Sequence, residues 1–218
     1  VAENDGLMAA WYCGISPVRI DVDGLAEPWR DAVEEARDRG LQLEVLDLTT
    51  DLGIPVLAVM GRHAGRWFHG CGASWQPERA LRAAWERAGQ SYLRALPDPG
   101  PDVDFLFEGP LGYCPSKVPG GDTDPIDTWR LLLGLRGLQG LWIDITPPDV
   151  ASAGVVVTRA WIVGALSRPP AGATLKADAD VLGESVAGMR LLELPTRLGR
   201  RKSPLQPTDL NLRPHPFI

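Results

Sequence analysis

Cysteine and histidine are both scarce in this sequence, with only three of each in 218 residues. They are Cys13, Cys71, Cys114, His63, His69 and His215. The cysteines are scattered, odd in number and form no C-x-x-C pair, which argues against a disulfide framework and against a zinc knuckle. The histidines are too widely spread for a metal site, so we interpret each as a loop or packing residue. This cysteine usage is typical of a reducing compartment, and we expect a cytoplasmic protein.

The sequence also lacks an excess of positive charge and any long hydrophobic run. Lysine and arginine total 22 against 28 for aspartate and glutamate, which gives a net charge of −6. Nucleic-acid binders and polybasic membrane anchors usually carry a basic excess, so both classes are disfavoured. The apolar runs are far shorter than a membrane span, and the N-terminus has no signal-peptide pattern. We therefore expect no nucleic-acid partner and no membrane association.

The composition that is present suits a globular domain with a core. Hydrophobic residues make up 44% and charged residues 23% of the chain, which are ordinary proportions for a soluble protein. Helical and strand-like periodicities alternate along it. We predict helices at Ala2–Tyr12, Pro28–Arg39, Gln76–Leu96 and Pro125–Leu138, and strands at Leu41–Leu48, Ile54–Met60, Leu141–Ile145 and Val155–Val163. Residues 97–121 are rich in proline, glycine and aspartate and predict a long functional or disordered loop with a strand-like island at Phe105–Phe107.

One predicted helix carries a polar pair that suits a metal ion. Ala80–Gln90 reads ALRAAWERAGQ and places Glu86 and Gln90 four residues apart. Four residues are about one helical turn, so both side chains leave the same face. A carboxylate and a carboxamide there are plausible oxygen ligands for Mg²⁺. The alternative is an ordinary amphipathic helix with a solvated polar stripe.

Two segments of the chain share the same sequence pattern and form an internal repeat. VLDLTTDLGIPVLAVMG and WIDITPPDVASAGVVVTRAWIVG are each a strand ending in Asp-x-Thr, a polar turn and a second strand. The Asp-x-Thr residues are Asp47 with Thr49 and Asp144 with Thr146. Aspartate and threonine side chains stabilise turns through their own backbone, so we interpret both segments as structural corners.

Five segments together resemble the later part of the YcaO domain family. They are AENDGLMAAWYCGISPVRIDVDGL, VLDLTTDLGIPV, GASWQPERALRAAWERAGQ, IDITPPDVASAGVVVTRAWIVG and LPTRLGRRKSPLQPTDLNLRPHPFI. They are similar to the family's E-R-D-x-x-M-x-x-W helix, its two D-x-T corners, its A-L-x-x-A-x-x-E-x-x-Q helix, and its P-x-R-L-G stretch with a proline-rich end. The resemblance implies an α/β fold with mixed sheets and packed helices in one domain, residues 1–218, closed by a proline-rich tail at 203–218.

The resemblance implies ATP and Mg²⁺ chemistry on a precursor peptide. In this family ATP phosphorylates a backbone amide oxygen, and a nucleophile adds to the amide carbon before phosphate leaves. In the azoline-forming branch, which the tail favours, the nucleophile is Cys, Ser or Thr; other branches form thioamides or amidines. Glu3, Glu86 and Gln90 match positions associated with Mg²⁺–ATP. Arg159 matches a V-x-R strand and is either a phosphate contact or a surface arginine at a strand end.

The resemblance also gives the C-terminus a role. Pro214 and Pro216 belong to a tail that matches P-x-P-x-P with Ile218 in the last place, and the terminal carboxylate of Ile218 would assist proton transfer from the nucleophile. The alternative is a disordered end. Arg197, Arg200 and Arg201 form a cationic stretch that faces phosphate or an acidic peptide, or is simply solvated.

Some departures from the family pattern limit the expected activity. Asn4 stands where the family has arginine in E-x-x-E-R, and the first glutamate of that motif would precede Val1. We expect the N-terminal part of the domain to be missing, so that this chain alone is not a competent enzyme. The expected partners are a leader-peptide-binding protein, a flavin dehydrogenase, and a homo- or hetero-oligomeric neighbour that covers exposed sheet edges. The alternative is a non-catalytic YcaO-like scaffold protein.

Overall fold

The computed structural model describes residues 1–94, 97, 100–113, 127, 130, 133–166 and 186–211. The helices are α1 (Ala2–Cys13), α2 (Glu27–Asp38), α3 (Pro77–Leu93), α4 (Pro148–Ser152) and α5 (Val186–Arg197). The strands are β1 (Val18–Ile20), β2 (Gln42–Asp47), β3 (Val56–His63), β4 (Arg66–Ala73), β5 (Leu111–Gly112), β6 (Gln139–Asp144) and β7 (Thr158–Val163). No helix among these described residues is long and apolar enough to span a membrane.

A mixed five-stranded sheet organises the first half of the chain, in the order β4-β3-β2-β1-β5. Neighbouring strands are antiparallel except for β1 and β5, which are parallel. Alternate side chains of each strand point to opposite faces. Val59 therefore packs in a cluster with residues of α2 and α3, whereas Met60 packs in a second cluster with α1 and α5. This arrangement confirms the expected mixed sheet with packed helices.

Two glycines of β4 let α3 lie directly on the sheet. A Cβ atom at Gly70 would be 2.1 Å from the carbonyl oxygen of Ala84, and one at Gly72 would be 2.2 Å from that of Ala80. No side chain fits at these distances, so only glycine allows this approach of helix and strand. The contact fixes α3 and therefore the direction in which its Glu86–Gln90 side points.

Both segments of the internal repeat form the same hydrogen-bonded corner. The N–H of Thr49 donates to Asp47 Oδ1 (2.8 Å), and the N–H of Thr146 donates to Asp144 Oδ1 (2.9 Å). Each threonine Oγ1 then accepts from the backbone across the corner, from Val56 at 3.1 Å and from Val157 at 2.8 Å. The interpretation of both segments as structural corners is confirmed.

The two corners differ in burial, and their carboxylates differ in pKa. Burial raises the pKa of Asp47 above its ordinary value, although the hydrogen bonds from Thr49 oppose the shift. Asp144 is exposed, and the hydrogen bonds from Thr146 lower its pKa. Asp47 therefore contributes most stability below its unfolded-state pKa and loses it as pH rises. Asp144 contributes above its unfolded-state pKa and loses that contribution as pH falls.

We expect Asp47→Asn and Asp144→Asn to change stability in opposite directions. Asp47→Asn should raise the free energy of unfolding, and this increase should grow as pH rises from about 3 to about 7, because asparagine keeps an oxygen acceptor without the partly buried charge. Asp144→Asn should lower the free energy of unfolding, and this decrease should grow over the same pH interval and disappear in acid. Urea unfolding of both variants across this pH series measures the effect. Changes of the same sign would contradict this account of the corners.

The second sheet is a hairpin of β6 and β7 with an exposed apolar face. The register pairs Leu141 with Trp161 and Gln139 with Val163, which places these side chains on one face beside Ile143. Leu141, Ile143, Trp161 and Val163 are each more than 40% exposed, at 45%, 53%, 41% and 41%. Ile162 points the other way and is buried in the core with α1 and α5.

Several segments differ from their predicted structure. The strand-like island at Phe105–Phe107 is wrong, because Gly100–Phe107 is a 3-10 helix that buries Val103 and Leu106, three residues apart. The sequence pattern predicts no helix in the region of α5, and α5 contains Pro195. Residues 114–121 of the loop predicted at 97–121 lie outside the described residues.

Candidate functional site

The candidate site forms where the first turn of α1 meets β4 and α3. Glu3 Oε1 accepts the backbone N–H of Ala73 at 3.1 Å, and Glu3 Oε2 accepts from Arg87 Nη1 at 2.6 Å. The same Arg87 nitrogen also donates to the carbonyl oxygen of Cys71. These three contacts join α1, β4 and α3 around one carboxylate and one guanidinium.

Glu86 and Gln90 are exposed on α3, as their spacing predicts. Neither side chain has a hydrogen bond or an ion pair to any other described residue. Arg87 lies three residues before Gln90 and is therefore its neighbour on the helix surface. The structure thus brings Glu3 to the helix that carries the other two predicted ligands, with Arg87 between them.

This set of residues suits Mg²⁺ because its donors are carboxylate and carboxamide oxygens. Within the described part of the chain, no group of three or more His, Cys, Asp and Glu side chains is arranged to hold a metal ion. Mg²⁺ is commonly bound by one or two carboxylates together with substrate phosphates, so the two carboxylates fit a site that a nucleotide completes. That Glu3, Glu86 and Gln90 are the ligands stays a prediction.

Arg159 lies on the second sheet, on β7. Its guanidinium carbon is 4.8 Å from the centre of the Trp161 ring, and the register pairs it with Ile143. A cation over an aromatic face is a favourable contact of its own. Its predicted role as a phosphate contact is not tested by this geometry.

The cationic stretch near the C-terminus is largely neutralised by acidic side chains. Arg197 contacts Glu193 at 2.5 Å and Asp51 at 3.4 Å, and Arg201 lies 3.8 Å from Asp209. Arg200 has no ion pair among the described residues and lines a small cavity of about 30 Å³ beside Asp47. Two of the three arginines are thus engaged by acidic side chains of this chain, which favours a structural role over an anion-binding one.

A buried ionic network, which the sequence did not suggest, fixes the position of α1. Arg190 on α5 donates to both oxygens of Asp5, at 2.6 and 2.7 Å, and to Asp51 at 3.0 Å. Asp5 also accepts from Thr50 Oγ1 at 2.7 Å and from the N–H of Leu166 at 2.8 Å. The Arg190 and Asp5 side chains are 3% and 0% exposed, so the pair is out of water.

The pKa of Arg190 reflects this network. Burial lowers the pKa, but the hydrogen bonds and charges of Asp5 and Asp51 outweigh it and raise the pKa above its ordinary value. The guanidinium is therefore charged at every accessible pH. Because Asp5 is two residues from Glu3, the network holds the segment that delivers Glu3 to the site.

Neither of the described cysteines is suited to act as a nucleophile. Cys13 and Cys71 are both buried and free. Burial raises the pKa of Cys13 to about 12 and raises that of Cys71 as well. Because the thiolate is the reactive form, both side chains are inert at neutral pH.

The predicted tail residues Pro214, Pro216 and Ile218 lie outside the described residues. Their role in proton transfer stays a prediction.

A family model described as "YcaO cyclodehydratase, ATP- and Mg²⁺-binding" matches residues 1–162. The match covers more than half of the chain, and the chain therefore belongs to the YcaO family. The family's cofactors are ATP and Mg²⁺. No curated protein matches the chain.

Solved structures that share the fold include the following three. One is described as a heterocyclase in complex with substrate and cofactor, with a TM-score of 0.72, 24% identity and 99% of this chain covered. The heterocyclase TruD has a TM-score of 0.73, 24% identity and 97% coverage. YcaO from Methanopyrus kandleri, bound with AMPPCP and Mg²⁺, has a TM-score of 0.59, 19% identity, and 75% of this chain and 49% of its own covered. This chain spans about 30% of the length of each of the two heterocyclases.

Proposed function

We propose that this chain is part of an ATP-dependent cyclodehydratase that forms thiazolines or oxazolines in a ribosomally made precursor peptide. The observation that carries the proposal is the meeting of Glu3 with α3, where Glu86 and Gln90 are exposed and unbonded within the described residues. Membership of the YcaO family supports the cofactors, ATP and Mg²⁺.

The proposed chemistry converts a poor leaving group into a good one. ATP, when bound, supplies the phosphoryl group that the amide oxygen of the peptide receives. A Cys, Ser or Thr side chain forms a bond to the amide carbon, and the amide oxygen departs with the phosphate. The net change is ATP and peptide to ADP, phosphate and a peptide lighter by one water. The residues of this chain are proposed to bind and orient the reactants, since phosphoryl transfer depends mainly on positioning and charge.

Calorimetric titration of the chain with Mg²⁺–ATP tests the nucleotide site. We expect binding that disappears when Mg²⁺ is chelated, because the oxygen ligands act through the metal. Binding in the low micromolar range would contradict the alternative of a non-catalytic scaffold protein. Absence of binding would contradict the proposed nucleotide site on this chain.

A non-catalytic scaffold within a peptide-modifying complex is the second candidate. The observation that favours it is the ion pair of Glu3 with Arg87, because an internal cation already neutralises one of the predicted metal ligands. The thioamide- and amidine-forming alternatives differ from the first candidate in the nucleophile. The mass of the modified peptide distinguishes them, since sulfur or nitrogen incorporation does not give the loss of one water alone.

We propose a precursor peptide, a leader-peptide-binding protein and a flavin dehydrogenase as the partners, in the cytoplasm. The chain is also proposed to associate with a partner or with itself. The support is the exposed apolar face of β6 and β7, since a two-stranded hairpin is marginally stable by itself.

Light scattering coupled to size exclusion is expected to give a mass of at least two chains, or a stable complex when the partner is supplied. Association is expected because it would bury the exposed apolar side chains of Leu141, Ile143 and Trp161 against a neighbouring chain. A monodisperse monomer with no complex formation would contradict the proposed association.

A further inference from the structure

We propose that Arg87 binds the phosphates of the nucleotide and that Glu3 and the Cys71 carbonyl hold it in position. The inference rests on the proposed nucleotide site at α1 and α3. It adds a residue that contacts one predicted oxygen ligand, Glu3, lies on the same helix as the other two, and carries the opposite charge.

The anchoring of Arg87 involves only one of its nitrogens. Nη1 donates to Glu3 Oε2 at 2.6 Å and also to the Cys71 carbonyl oxygen. Nε and Nη2 have no acceptor within the described part of the chain. The side chain is 51% exposed, so these remaining N–H groups face solvent. A guanidinium held on one side and open on the other presents planar donors to an incoming anion.

Phosphate is the ligand chemistry that fits this geometry. Guanidinium groups bind phosphate oxygens through two parallel hydrogen bonds. When the guanidinium is already held in place before the ligand binds, less conformational entropy is lost on binding. Two other predicted ligands, Glu86 and Gln90, lie on the same helix as Arg87 and suit the metal that accompanies a nucleotide. A cation beside them reduces the repulsion between the acidic side chains and a polyphosphate.

Glu3 acquires a different role under this inference. Both of its oxygens accept hydrogen bonds, from Ala73 and from Arg87, so the carboxylate is oriented and its charge is balanced. It is then a positioning residue for Arg87, whether or not it also contacts a metal. Its half-buried setting, with a side chain 30% exposed, suits that task.

The inference is tested by nucleotide binding to the full 218-residue chain and three variants. These are Arg87→Ala, Arg87→Lys and the control Arg39→Ala, which replaces an exposed arginine at the C-cap of α2 that likewise pairs with a carboxylate, Glu35. The probes are Mg²⁺–ATP, inorganic triphosphate with Mg²⁺, and adenosine. Thermal unfolding of each variant reports any change of fold.

We expect Arg87→Ala to weaken binding of ATP and of triphosphate by about tenfold to 100-fold, as for a lost charge-assisted hydrogen bond. Adenosine binding and Arg39→Ala should match the wild type. The affinity of Arg87→Lys should be intermediate, because lysine keeps the charge but lacks the planar guanidinium group. If Arg87→Ala does not fold, Arg87→Lys provides the test.

Two results would overturn the inference alone: unchanged ATP and triphosphate affinity in both Arg87 variants, or equal losses for adenosine and ATP. A wild-type chain that binds neither Mg²⁺–ATP nor triphosphate would overturn the proposed nucleotide site as well. The two failures are therefore distinguishable.

Discussion

Arg190→Met is expected to lower the free energy of unfolding by about 3–5 kcal/mol, the usual cost of removing one partner of a buried ion pair. Methionine fills much of the space but leaves Asp5 without a cation and leaves Asp51 with only Arg197, at 3.4 Å, and both carboxylates are at most 1% exposed. Because domains are stable by only about 5–15 kcal/mol in total, this loss is a large fraction of the whole.

Urea unfolding followed by tryptophan fluorescence measures this prediction. The matched control is Arg39→Met, which removes an exposed pair with Glu35 and should change stability by about 1 kcal/mol or less. Asp5→Asn provides a second variant with the same expected direction. An Arg190→Met protein as stable as the control variant would show that α1 does not depend on the network.

Glu86→Ala is expected to reduce ATP-dependent dehydration of the precursor peptide by at least about 100-fold, the scale for losing one preorganised electrostatic contact. The side chain is exposed and forms no hydrogen bond or ion pair with other described residues. Its loss should therefore leave the melting temperature unchanged, so that any change in rate reflects the site.

Glu78→Ala is the control for Glu86→Ala. Glu78 is an exposed glutamate on the same helix, in its first turn. The control should keep the full rate, and Mg²⁺–ATP affinity should fall only for Glu86→Ala. Equal rates for the two variants would contradict the assignment of Glu86 to the nucleotide site.

Local patterns were sufficient to predict two of the five strands of the first sheet and one helix that packs on it. The helix predicted at Pro28–Arg39 is α2, and the strands around Val45 and Val59 formed as β2 and β3, because their apolar periodicity coincides with burial. The Asp-x-Thr corners were also predictable, since each depends on side chains two residues apart. These features involve neighbours in sequence.

The features that the sequence did not reveal depend on distant contacts. Pro195 lacks a backbone N–H and disfavours a helix at α5, yet the burial of Leu191 and Leu194 in the core outweighs that local penalty. Arg190 meets Asp5 across 185 residues, which no periodicity indicates. In the same way, the spacing of Glu86 and Gln90 was visible, whereas the contact of Arg87 with Glu3 spans 84 residues.

The central claim is most directly tested by mass spectrometry of a cognate precursor peptide. The peptide is incubated with ATP, Mg²⁺, this chain and the remaining parts of a YcaO enzyme. We predict loss of one water for each Cys, Ser or Thr modified, dependent on ATP and abolished by Glu86→Ala. No loss of water with any cognate peptide, while Mg²⁺–ATP still binds, would contradict the cyclodehydratase function.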